Sequence, residues 1–253
     1  MTRLLSDRQI SDFKRDGFLV VRSMFDDATL AKIESWSRGL EEAADRPDYV
    51  WKYYEDSLTQ LGTKVLNRIE NFCAYHDEFS AFVRGPRMAG PVGELFGEEA
   101  VLFKDKINLK RPGGSGFTPH QDVQAGWDSY APFFITMLVS IDRATAENGC
   151  LELAAGFHDK GLIGDYWAPL TERDMADMTF VACPTEPGDV VFFDSFAPHR
   201  SGPNLSSHQR RVLYITYNPA SDGDHLARYY AEKFASYPPD VARDPDRDYR
   251  FKV

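Results

Sequence analysis

A chain of 253 residues, 43% hydrophobic and 27% charged, has the composition of a globular protein with a substantial core. Its formal net charge of −10 argues against a broad nucleic-acid or anionic-membrane surface, because phosphate contacts need clustered Lys and Arg; a small anion held by a few local cations stays open. The three cysteines, Cys73, Cys150 and Cys183, are odd in number and widely spaced, so they signal no disulfide framework or zinc–cysteine site and read as buried thiols.

The first residues lack a signal-peptide apolar core, and no segment approaches the ~20 apolar residues that span a bilayer. A reducing cytoplasm is the expected location. Ser6 and Gln9 form a capping-box pattern that starts a short helix ending near Asp16-Gly17. Phe18–Val21 reads as a buried strand. Leu30, Ile33, Trp36 and Leu40 recur at helical spacing, predicting a long amphipathic helix from Asp26 to about Ala44. Residues 47–63 carry no assignable pattern. Phe79 to Phe96 reads as one or two helices, interrupted by Gly85-Pro86 and Gly90-Pro91.

The texture changes at Ala100. Between Val101 and Lys110 the odd positions are mostly apolar and the even ones mostly polar, with Leu102 and Asp105 as exceptions, which predicts a two-faced strand. Spacing alone leaves open whether Lys104, Lys106, Asn108 and Lys110 are solvated or line a cavity. Short strands follow at Phe133–Ile141, Cys150–Ala154, Phe180–Cys183, Asp189–Phe193 and Val212–Tyr217, punctuated by turn residues such as Glu147-Asn148-Gly149. Asp224 to Ala235 reads as a last helix. The expectation is a mainly β (α+β) fold, a sandwich or jelly roll with helices outside. We expect one domain over residues 1–253: an N-terminal helical part to about 99, a jelly-roll core of about 100–220, and a C-terminal helix and tail from 221.

The chemistry concentrates in His120-Gln121-Asp122, answered about 77 residues later by His199 and then by Arg210. On a strand, His120 and Asp122 point to one side and Gln121 to the other. Two imidazoles and a carboxylate can form the three-ligand face of non-haem Fe(II) oxygenases. A lone H-x-D is weak evidence; the later His199, Ser201 and Arg210 strengthen it. His76, His158, His208 and His225 read as surface or hydrogen-bonded histidines. Trp127 and Tyr130, in the loop after the motif, either pack or line a substrate pocket, where they could face a cation. Arg68 and Glu70 share a parity; they could face a small zwitterion or form a surface ion pair.

Several segments resemble the phytanoyl-CoA dioxygenase-like (PhyH) family of Fe(II)/2-oxoglutarate oxygenases. They are Lys110-Arg111-Pro112-Gly113, Pro119-His120-Gln121-Asp122, Glu147-Asn148-Gly149-Cys150-Leu151, Pro187-Gly188-Asp189, His199-x-Ser201-Gly202-Pro203-Asn204 and Arg210, in family order across residues 100–217. The family's Gly-Ser-His appears here as Gly156-Phe157-His158. The resemblance implies a double-stranded β-helix (jelly roll, cupin-like) in which His120, Asp122 and His199 bind Fe(II). Arg210 and Ser201 would hold the distal carboxylate of 2-oxoglutarate, with Asn108 and Lys104 or Lys106 reaching toward that co-substrate. Arg211 rivals Arg210, since alternation lets only one face the pocket. The implied activity is O₂-dependent hydroxylation of a small metabolite coupled to conversion of 2-oxoglutarate to succinate and CO₂. Asp122 favours hydroxylation over halogenation.

Wider similarity, through Lys106–Lys110 and Gln121–Trp127, is to bacterial relatives that hydroxylate 2-aminoethylphosphonate beside phosphorus. It implies a substrate site drawing on Lys106, Arg68, Glu70, Gln121, Trp127 and Tyr130, with no nucleic-acid or membrane partner; oligomeric state stays open. Alternative readings are a zinc isomerase or hydrolase on a jelly roll, which has no need of Arg210, a silent scaffold, and a hydroxylase of acyl-CoA or amino-acid-like substrates.

Overall fold

The computed structural model describes residues 3–249. In chain order its regular elements begin with α1 (Asp7–Asp16), β1 (Phe18–Val21), α2 (Asp27–Glu42), β2 (Trp51–Asp56), β3 (Lys64–Glu70), α3 (Asp77–Arg84) and α4 (Ala89–Phe96). The second half holds β4 (Ala100–Lys110), β5 (Phe117–His120), β6 (Ile135–Ser140), β7 (Leu151–Ala154), β8 (Phe180–Cys183), β9 (Val190–Asp194), β10 (His199–Ser201), β11 (Arg210–Pro219) and α5 (Leu226–Ser236). None of the described helices is long and apolar enough to cross a membrane.

Local chemistry sets the early boundaries. The Ser6 side chain caps the Gln9 N–H, and Gln9 caps Ser6 in return. Gly17 ends α1 at a φ of 79°, a conformation that costs glycine little. Asp26 caps α2 through the Thr29 N–H. Gly85 separates α3 from α4, as expected. Gly90-Pro91 does not interrupt anything: Pro91 lies in the first turn of α4, where a missing N–H leaves no helical bond unmade.

Two antiparallel sheets face each other. The larger has seven strands in the order β1-β9-β6-β11-β4-β3-β2; the smaller has four, β5-β10-β7-β8. Three strands of the larger sheet come from the N-terminal part, so that part is less helical than its sequence suggests. Strand β2 escaped the sequence reading because Trp51-Lys52-Tyr53-Tyr54 does not alternate. Its Lys52 is buried, with the ammonium donating to the Glu41 and Ala43 carbonyls.

Both faces of the larger sheet are covered, which is why β6, β9 and β11 are buried at every position. Ile107, Leu109, Met137, Val139, Leu213 and Ile215 pack outward, in one core with helix residues such as Phe13, Ile33, Phe79 and Val92. Leu138, Val191, Phe193 and Val212 point inward, against Leu151 and Leu153 of the smaller sheet. At ~1.5–3 kcal/mol for each large apolar side chain removed from water, these two cores dominate stability. A third, aromatic cluster of Phe103, Trp127, Phe134, Tyr229 and Tyr230 closes one end of the space between the sheets.

The exceptions in β4 have a structural cause. Lys104 pairs with Thr216 but Leu102 pairs with Tyr217, so Phe103 is an extra residue, a β-bulge. The bulge resets the alternation: Leu102 stays in the outer core, while Phe103 and Lys104 both turn inward. Asp105 faces outward, buried, and accepts from the Cys73 N–H and the Tyr230 hydroxyl.

Candidate active site

Strands β5 and β10 pair at the mouth of the groove between the sheets, with His199 directly opposite His120. Strand β5 ends at His120. Asp122 therefore lies on a short 3₁₀ turn (Asp122–Ala125) and not on a strand, but an extended Gln121 (φ −107°, ψ 138°) still turns Asp122 to the histidine side. Both His Nε2 atoms are 4.0 Å from Asp122 Oδ1, and one ligand atom from each of the three residues lies within 4.8 Å of the others.

The protonation states suit a metal. His120 Nδ1 is 2.7 Å from the Thr118 carbonyl and His199 Nδ1 is 3.0 Å from the Ala197 carbonyl. A carbonyl only accepts, so each Nδ1 carries the proton and each Nε2 presents a lone pair toward Asp122. Burial, then proximity to His199, lowers His120 to about 3. Burial also lowers His199. For Asp122 burial acts upward, but the two histidines, Lys106 and Lys104 outweigh it and hold the carboxyl below its usual value. Thr136 Oγ1 donates to Asp122 Oδ2 at 3.4 Å and is itself 2.9 Å from Thr216 Oγ1, which fixes the carboxylate's orientation. Two neutral imidazoles and one carboxylate, converging and each restrained from behind, fit the donor set of Fe(II).

A cavity of about 690 Å³ opens over this face. Its lining includes Lys104, Lys106, Trp127, Tyr130, Trp167 and Tyr229 beside His120 and Asp122, so of the polar face of β4 Lys104 and Lys106 line a cavity, while Asn108 and Lys110 are buried outside it. Lys104 Nζ lies 5.1 Å from the Trp127 ring centre and 5.5 Å from that of Tyr229; Lys106 Nζ lies 4.7 Å from that of Tyr214. Neither ammonium has a hydrogen bond or an ion pair among the described residues. Burial lowers both, with Lys106 reaching about 7 through burial first and Lys104 second.

Arg210 begins β11 opposite Lys110. It is 2% exposed, and its Nε has no hydrogen-bond partner among the described residues. Arg211 turns to the other side, where Nε and Nη2 clasp Asp142 at 2.9 and 2.8 Å with Glu41 behind. Of the two arginines, Arg210 is the one left with an unmade bond inside the groove, and a buried guanidinium with an unsatisfied Nε, opposite the Lys110 that reaches Ser201, fits a carboxylate-bearing co-substrate. Asn108 Oδ1 is likewise buried and unpartnered.

Other expected site residues stand elsewhere. Gln121 is fully buried and pins loops, donating to the Gly161 and Phe196 carbonyls and accepting from the Ile163 N–H; it does not line the cavity. Arg68 and Glu70 form a buried ion pair at 3.3 Å, with Lys233 also on Glu70, so they are neither a surface pair nor a free zwitterion site. Trp127 lines the cavity, but the cation on its face is the protein's own Lys104. Tyr130 donates to Glu232 at the rim. Lys104 is remote from Arg210: its partner Thr216 is six positions along β11, about 20 Å at ~3.3 Å per residue, so it does not share Arg210's end of the groove. His76, His158 and His225 hold backbone atoms, as surface histidines do. All three cysteines are buried and free.

Sequence reasoning missed Tyr214, Thr136, Trp167 and Tyr229. Tyr214 was within reach, since Arg210, Val212, Tyr214 and Thr216 share one parity on β11. Trp167 arrives on an irregular loop with no periodic signal.

The phytanoyl-CoA dioxygenase (PhyH) family profile matches residues 13–212. A 2-aminoethylphosphonate dioxygenase from an uncultured bacterium is 38% identical over 96% of this chain and 93% of its own. A methylphosphonate hydroxylase from Gimesia maris is 33% identical over 94% and 90%. Among solved structures, the epimerase SnoN in complex with Fe³⁺, α-ketoglutarate and nogalamycin RO superposes with a TM-score of 0.73 at 21% identity (98% of this chain, 95% of that one), a likeness of fold. EctD from S. alaskensis with 2-oxoglutarate and 5-hydroxyectoine gives 0.71 at 22% identity (87% and 78%). These matches set aside the zinc-enzyme and scaffold readings. This chain belongs to the phytanoyl-CoA dioxygenase family of Fe(II)- and 2-oxoglutarate-dependent oxygenases, with the jelly-roll fold of that family.

Proposed function

We propose that this enzyme hydroxylates a small organophosphonate at the carbon bound to phosphorus. In this reading His120, Asp122 and His199 hold Fe(II), Arg210 and Ser201 hold the distal carboxylate of 2-oxoglutarate, and Lys104 and Lys106 hold the phosphonate. The observation that carries it is the pair of cavity-facing ammonium groups, Lys104 buried and Lys106 half-buried, neither with a hydrogen bond or ion pair among the described residues, in a chain of net charge −10. Asp122 and Glu70 act on both lysines only at a distance, and a ligand with several anionic oxygens supplies direct partners to two ammonium groups at once. The two phosphonate-acting relatives support the same assignment: the substrates in their names share the C–PO₃ unit and differ in what else the carbon carries. Lys104 thereby moves from the co-substrate to the substrate side.

Fe(II) with bound 2-oxoglutarate supplies the oxygen activation, 2-oxoglutarate leaving as succinate and CO₂ while one oxygen atom enters a substrate C–H bond. The protein's residues do the rest. Thr118 and Ala197 carbonyls keep both imidazoles in one tautomer, and Thr136 keeps Asp122 turned toward them. Arg210 provides a planar two-point grip for a carboxylate. Trp127, Trp167 and Tyr229 wall the cavity with apolar surface, which strengthens each charge contact inside it.

The test is a substrate screen on protein reconstituted anaerobically with Fe(II). It would include 2-aminoethylphosphonate, methylphosphonate, their carboxylate isosteres, amino acids and acyl-CoA thioesters. The expected result is phosphonate-dependent succinate release with a hydroxylated product seen by ³¹P NMR. Succinate release with another class and none with any phosphonate would overturn the substrate assignment.

A further inference from the structure

Lys110 belongs to the same polar face of β4 as Lys104 and Lys106 but differs from both. It is fully buried, does not line the substrate cavity, and makes three polar contacts. Its Nζ donates to Ser201 Oγ at 2.7 Å, to the Gly149 carbonyl at 3.3 Å, and to the Gly202 carbonyl. It thus reaches from the larger sheet to the end of the smaller one, directly beside its register partner Arg210. Gly149 makes room for it: a Cβ there would lie 2.9 Å from Nζ, and the backbone, at φ +75°, is strained for any other residue.

We propose that Lys110 is a positioning residue for the co-substrate: it fixes the Ser201 hydroxyl as a hydrogen-bond donor to the carboxylate that Arg210 holds. This rests on the reading of Arg210 and Ser201 given above. A serine hydroxyl can donate or accept, and alone it carries no preference. An ammonium has three N–H groups and no acceptor. In the ammonium form, with two spent on backbone carbonyls, the third goes to Ser201 Oγ; a neutral amine, which burial and Arg210 favour, would instead accept from that hydroxyl, so the arrangement belongs to the charged form that a bound carboxylate stabilises. The serine oxygen is then committed to accepting from Lys110, and its single proton is free to point away. No acceptor for that proton is found among the described residues, and Arg210 beside it also has an unmade N–H bond. The end of the groove therefore presents donors from two side chains, Ser201 and Arg210, with the second positive charge, Lys110, behind them and no carboxylate among the described residues paired to either cation. An arriving carboxylate supplies that negative charge, which also favours the ammonium form of Lys110 against burial and Arg210.

A lysine that merely ties the two sheets together would affect stability alone, so binding separates the readings. 2-Oxoglutarate affinity is measured by calorimetry on the metal-loaded, oxygen-free enzyme for wild type, Lys110→Met, Ser201→Ala and the double variant, with melting temperatures recorded alongside. We expect about a tenfold loss for each single variant, the low end for one hydrogen bond to a charged group, and still only about tenfold in total for the double variant. If Lys110→Met does not fold, Lys110→Gln replaces it, its amide being one bond too short to reach Ser201. A lowered melting temperature with unchanged affinity overturns the proposal, and so does a hundredfold loss in the double variant, which would mean that the two residues act independently. Arg210→Met is the control. If it too leaves 2-oxoglutarate affinity unchanged, the co-substrate site itself is misassigned; if it alone loses affinity, only the role of Lys110 fails.

Discussion

The two faces of β4 are equally buried and chemically opposite. Outward, Ile107 and Leu109 are 0% and 1% exposed and pack against the helices; inward, Asn108 and Lys110 are 3% and 0% exposed and face the groove. Burial does not tell a core face from a working face. What tells them apart is whether polar atoms are satisfied. Asp105, the one charge on the outer face, has its partners in the Cys73 N–H and the Tyr230 hydroxyl, whereas on the inner face Asn108 Oδ1 is buried without one, Lys104 and Lys106 face the cavity with no hydrogen bond among the described residues, and Lys110 alone is satisfied.

Variants on the two faces should fail in different ways. The largest effect belongs to the metal face: Asp122→Ala should lower turnover at least ~10³-fold and abolish stoichiometric iron binding, with the melting temperature close to that of wild type. A variant with full turnover would remove the metal assignment. Next comes the outer face. Ile107→Ala should cost about 2–5 kcal/mol in denaturant unfolding while the KM for substrate stays put. A changed KM with unchanged stability would erase the contrast between the faces. Lys104→Met and Lys106→Met should each cost about 30–100-fold in kcat/KM toward a phosphonate, the scale of one charged hydrogen bond. They should leave the unliganded protein about as stable, because neither amine has a hydrogen bond or ion pair among the described residues to lose. Loss of folding in both would argue that these lysines are structural.

The smallest effect tests a buried charge that serves neither face. Asp194, at the end of β9, has its Oδ1 on the Phe196 N–H at 2.7 Å; burial outweighs that bond and raises the carboxyl to about 7. The unfolded value is ~3.9. A group whose folded pKa is raised contributes stability that is full below about pH 4 and is lost as pH rises through about 7. Asp194→Asn keeps the acceptor and removes the titration, so it should match wild type near pH 4 and exceed it at pH 8. Parallel melting curves for the two proteins across this range would show that Asp194 stays ionised.

Much of the site was legible because it depends on residue identity and order. His120, Asp122, His199 and Arg210 are chemically conspicuous, but parity left Arg210 and Arg211 as rivals; the partner that turns Arg211 away, Asp142, lies far off in sequence. Strands with period-two patterns, such as β4, were legible for the same reason. What escaped was whatever tertiary packing decides. β2 has no alternation because Lys52 is buried against helix-end carbonyls. Gln121 shares the metal motif yet serves the loops, and Arg68 and Glu70 satisfy one another. In each case partners distant in sequence set the role.

The bulge at Phe103 has one more consequence. A regular strand offers a given side one residue every two positions, roughly 6.6 Å of length. By turning Phe103 and Lys104 the same way, β4 places a ring and an amine within a single step, and both meet the same two aromatic neighbours, Trp127 and Tyr229. The irregularity acts as local thickening of function: twice the side-chain density at the point where cavity wall and anion grip coincide. Deleting that one residue would leave Leu102 and Lys104 as ordinary alternating neighbours opposite Tyr217 and Thr216, each on its present face, and would strip only the ring from the wall.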